Sequence, residues 1–179
     1  MFLETDRLIL RPPTTRDVDN YMEFCNSLFV LRYNAMSVTT REKVLALFSA
    51  SQEEESTLVM EHKQLRKVIG VICIDDDSIR WGVDSKELSY FIHEAYSRQG
   101  YMKEALSAVI AHLFCSQPLE CVAARSFSDN IASRKLLESL GFHQDGCIPR
   151  CVKGFDGIVF DDTLYSLFRH EFSPQNLNG

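Results

Sequence analysis

Seven apolar residues recur at helical spacing directly after a turn built round one glycine: Met102, Ala105, Leu106, Val109, Ile110, Leu113 and Phe114 follow Gly100. Residues three and four apart share a helix face, so this run is a long helix with one side committed to a core. The run before it, residues 87–92 (ELSYFI), reads as a strand. A strand joined to an amphipathic helix by a tight turn is the mark of a mixed α/β domain. The junction also carries chemistry. The first amides of a helix lack intrahelical partners and sit at the positive end of its dipole, where phosphate oxygens bind. Gly100 lets backbone approach a ligand with no side chain in the way, while Arg98 and Lys103 add positive charge. An ordinary turn is the plainer reading, since neither G-x-x-x-x-G-K-[ST] nor G-x-G-x-x-G occurs.

Residues 7–11 (RLILR) are a short run that stops at Pro12 and Pro13, as a strand stops at residues unable to continue a ladder. From Thr15, with Asp17 following, Val18, Tyr21, Met22 and Cys25 mark a capped helix, and residues 40–49 carry a second with Val44, Leu45, Leu47 and Phe48. Thr57–His62 and residues 67–74 are β-branched-rich runs separated by polar residues 63–66, an antiparallel hairpin that ends in the turn formers Asp75, Asp76, Asp77 and Ser78. Residues 79–83 read as a further strand. Beyond Pro118, Cys121–Phe127 is a strand, and Asp129 and Asn130 start a helix whose core stripe is Ala132, Leu136, Leu137 and Leu140, ending at Gly141. Residues 158–160 and 164–168 form a last strand or pair of strands. Neither a linker nor a repeat interrupts residues 1–172, which leaves one domain, with residues 173–179 fraying at its end.

An apolar fraction of 45% with twelve Phe, six Tyr and one Trp is enough for a substantial core and excludes whole-chain disorder. A net charge of -6 with no basic block argues against a nucleic-acid partner. No run approaches the roughly 20 apolar residues of a membrane span, and the opening MFLETDRLILR is no secretory leader, so the expectation is a cytoplasmic protein with no membrane partner. The six cysteines include no C-x-x-C and read as reduced thiols. His143, Cys147 and Cys151, spaced by four, could ligate zinc on one helical face, but Gly146 and Pro149 break a helix there. Asp75, Asp76 and Asp77 lack the Gly and distal Glu of a calcium loop, so no metal is expected.

Taken together, the turn Ser97-Arg98-Gln99-Gly100-Tyr101-Met102 with its long helix, the following strand, and the run NIASRKLLESLGF from Asn130 to Phe142 resemble the GNAT N-acetyltransferase superfamily. The opening LETDRLILRP from Leu3 looks like the RimJ/RimL branch, the ribosomal-protein N-terminal acetyltransferases. The resemblance covers residues 3–170. It implies an α/β (α+β) GNAT fold: a mixed, mostly antiparallel central sheet flanked by helices and splayed between its fourth and fifth strands, here residues 87–92 and Cys121–Phe127. It further implies acetyl-CoA as cosubstrate in that V, with main chain at Phe91, Ile92 and His93 pairing with the pantetheine arm. Amides from Arg98, Gln99, Gly100, Tyr101, Met102 and Lys103 would hold the pyrophosphate. Ser97 and Met102 depart from the family's turn pattern, which leaves a site made of backbone amides in place.

The tyrosine that many members keep five residues before the closing Phe is Leu137 here, so acid catalysis of that kind is absent. By resemblance Ser133 donates to the departing sulfur and Asn130 orients cofactor or substrate; helix capping is the other role open to both. An ammonium has no lone pair with which to attack a thioester, so a base is required. Glu87 stands about where some members keep a glutamate, a solvated strand-end charge being its plainer reading, and His93 is a weaker candidate. The branch's glutamate after Gly-Phe is replaced, since Arg150-Cys151-Val152-Lys153 offers no carboxylate. The expected function is transfer of acetyl from acetyl-CoA directly to a primary amine, either a protein N-terminus or a small amine such as a polyamine or aminoglycoside, by a monomer or homodimer. The rivals are a non-catalytic acyl-CoA-binding or sensor domain of the same fold, and an interaction module with no cofactor.

Overall fold

In the computed structural model, which describes residues 1–35, 37–54 and 56–173, an eight-stranded sheet runs through the chain. Its strands are β1 (Leu3–Glu4), β2 (Leu8–Arg11), β3 (Thr57–His62), β4 (Lys67–Asp76), β5 (Ser85–Ile92), β6 (Cys121–Phe127), β7 (His143–Lys153) and β8 (Val159–Phe168), in the spatial order β1-β2-β3-β4-β5-β6-β8-β7. Neighbours are antiparallel except β5 with β6. That parallel pair needs a crossover, and α4 (Tyr101–Ser116) supplies it. Helices α1 (Val18–Met22), α2 (Leu28–Leu31) and α3 (Arg41–Glu54) lie between β2 and β3, and α5 (Ile131–Ser139) follows β6. This is the mixed, mostly antiparallel sheet with flanking helices that the sequence leads one to expect; the extra strand β1 makes the expected fourth and fifth strands β5 and β6.

Each face of the sheet carries its own core. In β3, Leu58 and Met60 pack toward α4, whereas Val59 packs with Tyr21, Phe24 and Phe48 on the other side, as a period of two requires. A register shift opposite Met60/Glu61 disturbs that period in β4, so Ile69 and Ile72 reach the α4 side while Val68 and Val71 reach the other. Gly70 sits at this irregularity, where a Cβ would lie 2.8 Å from Met60 Sδ and 3.0 Å from the Phe91 carbonyl oxygen. The α4 stripe is buried throughout. Leu106, Val109, Ile110 and Leu113 are at most 1% exposed, and burial of each side chain of this size contributes about 1.5–3 kcal/mol. At the sheet's other end, Arg11 ties β2 to the start of α1: its guanidinium donates to both carboxylate oxygens of Asp17 at 2.8 Å and reaches Glu61 at 2.7 Å.

Several expectations need correction. Residues 79–83 form no strand although Ile79, Trp81 and Val83 alternate like one; these three are 45%, 92% and 43% exposed. Both edges of β4 are taken by β3 and β5, so these residues cannot fold back on the strand they follow. Instead Arg80 pins the segment, bonding Asp77 at 2.6 Å, Asp145 at 3.3 Å and the Ser166 hydroxyl. Of the two alternatives for the tail, one strand holds: β8 runs through from Val159 to Phe168, and its hairpin partner β7 has no signal in the sequence, because two irregularities and an exposed surface erase its alternation. Asp75 and Asp76 extend β4, and the first helix is a single 3-10 turn followed by the short α1. Ala132 of the α5 stripe is exposed and faces a cleft. Of the tail expected to fray, residues 174–179 lie outside the described residues.

Candidate active site

The parallel pairing of β5 with β6 stops at Leu88↔Ala124. Beyond it β5 stays with β4 as far as Ile92, and β6 stays with β8 as far as Phe127↔Asp162. Two strands held by different neighbours must part, and a cleft of about 1000 Å³ occupies the gap. It is lined from the glycine turn of α4 at one end to α2, Arg125 and Asp162 at the other.

At the turn, Arg98 and Gly100 both take positive φ, 59° and 81°. Gly100 is the N-cap of α4 and lines the cleft with Arg98, Tyr101, Met102 and Lys103. Met102 is only 8% exposed and packs in the α4 core. Gln99 does not line the cleft: its side-chain amide donates to the Ala95 carbonyl at 2.8 Å, and its carbonyl accepts from Arg7 Nη1 at 3.0 Å. Arg7 builds the turn from outside. Its Nε donates to Glu104 at 2.6 Å and its guanidinium lies 4.2 Å from the centre of the Tyr101 ring. That role for the opening segment was not legible in the sequence.

Along β5 the side chains divide between the faces. Leu88, Tyr90 and Ile92 turn to the α4 side and Phe91 to the other, so Glu87 shares the face of Phe91. Phe91 and Ile92 line the cleft, but His93 does not: its amide donates to the Ile69 carbonyl at 2.8 Å and its Nδ1 accepts from the Ala95 amide at 3.0 Å. His93 is thereby a turn-forming residue, and the strand's alternation leaves Ile92 as the residue of the expected trio whose main chain faces the gap.

On the α4 side, the Tyr90 hydroxyl lies 2.9 Å from Ser133 Oγ. Burial pushes the Tyr90 phenol well above its ordinary pKa, with the Ser133 hydrogen bond opposing, so the phenol keeps its proton at neutral pH. Sequence reasoning missed this tyrosine, although β5 alternation points it the same way as Leu88. Asn130 caps α5, its Oδ1 accepting from the Ser133 amide at 3.2 Å, and both residues line the cleft. Leu137 is 1% exposed, inside the core and away from the cleft.

On the opposite face Glu87 Oε1 accepts from Arg125 Nε at 2.9 Å. Arg125 Nη1 stands 3.7 Å from Asp162 Oδ2, beyond hydrogen-bonding distance. Asp162 is 3% exposed, and burial raises its pKa, opposed by Arg125 and reinforced by Glu87. Tyr33 and Phe127 stand edge to face at 6.4 Å beside this group, and Phe160 stacks on Phe127 at 4.8 Å. His143, Cys147 and Cys151 lie along β7, where positions four apart are separated by about 13 Å of extended chain. Among the described residues no cluster of three His, Cys, Asp or Glu side chains could hold a metal, and no helix is long and apolar enough to cross a membrane.

A family model described as an acetyltransferase (GNAT) domain matches residues 7–143. The uncharacterized N-acetyltransferase YoaA of Bacillus subtilis is 28% identical over 173 residues, covering 93% of this chain and 96% of that protein. A GNAT-family acetyltransferase structure from Bacillus anthracis superposes with a TM-score of 0.85 at 20% identity, over 96% of this chain and all of that one. RimJ of Mycobacterium smegmatis, in complex with CoA-disulfide, gives 0.81 at 18% identity over 96% of this chain and 86% of its own. The ribosomal-protein-S5-alanine acetyltransferase of Vibrio fischeri gives 0.80 at 20% identity over 97% of this chain and 100% of its own.

Proposed function

Because the chain belongs to the GNAT acetyltransferase family, whose members use acetyl-CoA, we propose that it moves acetyl from acetyl-CoA directly to a primary amine across the gap between β5 and β6. The observation that carries this reading is the single cleft that joins the glycine turn of α4, through the parted strands, to an ion-paired carboxylate group on the far face. Arg98, Gly100, Tyr101, Met102 and Lys103 hold the pyrophosphate through amides and charge, Gln99 contributes by shaping the turn, and the main chain of Ile92, between Phe91 and His93, takes the pantetheine arm. Asn130 sets Ser133 at the mouth of α5.

Ser133 assists departure of the thiolate. The phenol of Tyr90, held in its protonated form, donates to Ser133 Oγ and leaves the serine hydrogen to point at the sulfur. Glu87 and its partners form the acceptor side, where positioning and desolvation of the amine supply much of the rate. The likeness to RimJ and to an S5-alanine acetyltransferase supports a protein N-terminus as the acceptor and the RimJ/RimL branch as the chain's place. Free cysteines fit a cytoplasmic enzyme.

Calorimetry with acetyl-CoA, followed by thiol-release assays on a peptide with a free N-terminus and on small amines, tests the reading. Absence of acetyl-CoA binding overturns it, and binding without turnover on any amine makes the chain an acyl-CoA-binding domain.

A further inference from the structure

Asp162 is a nearly buried carboxylate whose remaining exposure faces the cleft. It opens on the cleft, is 3% exposed, and has Arg125 as its charged neighbour at 3.7 Å. A carboxylate this enclosed, with its one charged neighbour beyond hydrogen-bonding distance, has room for a cationic partner only from the cleft side. Glu87, by contrast, is held by Arg125 at 2.9 Å. The charged and titratable groups around Asp162 are Glu87 of β5, Arg125 of β6, Arg32 and Tyr33 from the end of α2, and Cys151 of β7, which acts on Arg125. Two carboxylates against two guanidiniums leave this end of the cleft near neutrality, a poor match for a polyamine. Leu28, Phe29, Ala35 and Val152 add apolar wall to it, beside the neutral Asn34 and Ser126.

We propose that Asp162 receives the ammonium of the acceptor, a monoamine borne on an apolar or aromatic group, and takes its proton. This rests on the acetyl-transfer reading above. The ammonium gives one proton to Asp162, and the freed lone pair forms the C–N bond to the acetyl carbon. The C–S electron pair then leaves on sulfur, assisted by Ser133, and the second proton shed by nitrogen balances the thiol formed. An N-terminal amine beside a small or apolar side chain meets the same description.

Asp162 must be ionised to act, so kcat/KM rises with pH through its pKa. Burial and the Glu87 charge place that limb above the ordinary carboxylate range. The test uses phenethylamine, spermidine and an Ala-initiated peptide with acetyl-CoA. Phenethylamine or the peptide should exceed spermidine at least tenfold in kcat/KM. Asp162→Asn should lose at least about a hundredfold while binding coenzyme A as wild type does. Two further variants keep the test open should Asp162→Asn misfold: Glu87→Gln removes a negative neighbour and should move the acid limb to lower pH, and Arg125→Gln should move it higher. Spermidine preferred by the wild type, Asp162→Asn at wild-type turnover, or a limb that neither neighbour moves overturns the assignment to Asp162. Failure of the wild type to bind coenzyme A overturns the acetyl-transfer reading instead.

Discussion

Replacing Gly100 by alanine separates two costs at the turn that opens α4. Gly100 has φ +81°, a region that costs a residue with a Cβ roughly 1–2 kcal/mol. The new Cβ would also lie 3.3 Å from Arg7 Nη2, a contact that a flexible guanidinium relieves by moving a few tenths of an ångström. The conformational part therefore dominates, and Gly100→Ala should destabilise by about 1–2 kcal/mol, a fall in Tm of about 2–8 °C for a chain of this size. Arg7 contributes a partly exposed ion pair to Glu104 and a contact with Tyr101, each worth up to about 1 kcal/mol. If the backbone reasoning is right, combining Gly100→Ala with Arg7→Ala should recover almost none of the loss. Gly100→Val adds a branched side chain at the proposed pyrophosphate path and should weaken acetyl-CoA by at least about tenfold, ~1.4 kcal/mol. Scanning calorimetry and titration calorimetry on the same preparations measure both quantities. A folded Gly100→Val with unchanged affinity, or a Gly100→Ala whose loss vanishes once Arg7 is gone, refutes the reasoning.

Ser133→Ala should lower kcat by roughly ten- to a hundredfold, ~1.4 to 2.7 kcal/mol, with little change in KM for acetyl-CoA, whereas Asn130→Ala should cost about 1 kcal/mol of stability through loss of the α5 cap; steady-state kinetics and melting curves on both variants separate the two roles. Leu137→Tyr should destabilise by about 1–3 kcal/mol and raise kcat not at all, because this position is packed in the core away from the cleft. Burial pushes the Asp17 carboxyl up, but hydrogen bonds from Arg11 and Thr14 overcome it and hold its pKa below the ordinary value. With the folded pKa below the unfolded one, its stabilisation is complete above about pH 4 and drains away as pH falls through the folded value. Denaturant melts between about pH 2.5 and 6 should therefore show an acid loss that Asp17→Asn removes.

Local chemistry determined a good part of this protein. The α4 stripe, Cys121–Phe127, the β3–β4 hairpin and the turn at Gly100 were legible because period, β-branching and a single glycine act over a few residues, and the ordered motifs then pointed to a GNAT domain. Periodicity misled where neighbours decide. Ile79, Trp81 and Val83 alternate like a strand but follow a strand, β4, whose two edges are already paired, and β7 lacks alternation yet pairs because β8 lies beside it. The candidate site divides the same way. The turn residues from Arg98 to Lys103 are neighbours in sequence, so they could be read together. Tyr90 with Ser133, Arg7 with Glu104, and Glu87 with Arg125 and Asp162 are separated by 38 to 97 positions in the bonds that the structure records. Only the pairing of β6 with β8 brings Asp162 to the gap, and only the parting of β5 from β6 opens that gap, because each strand is held by a different neighbour.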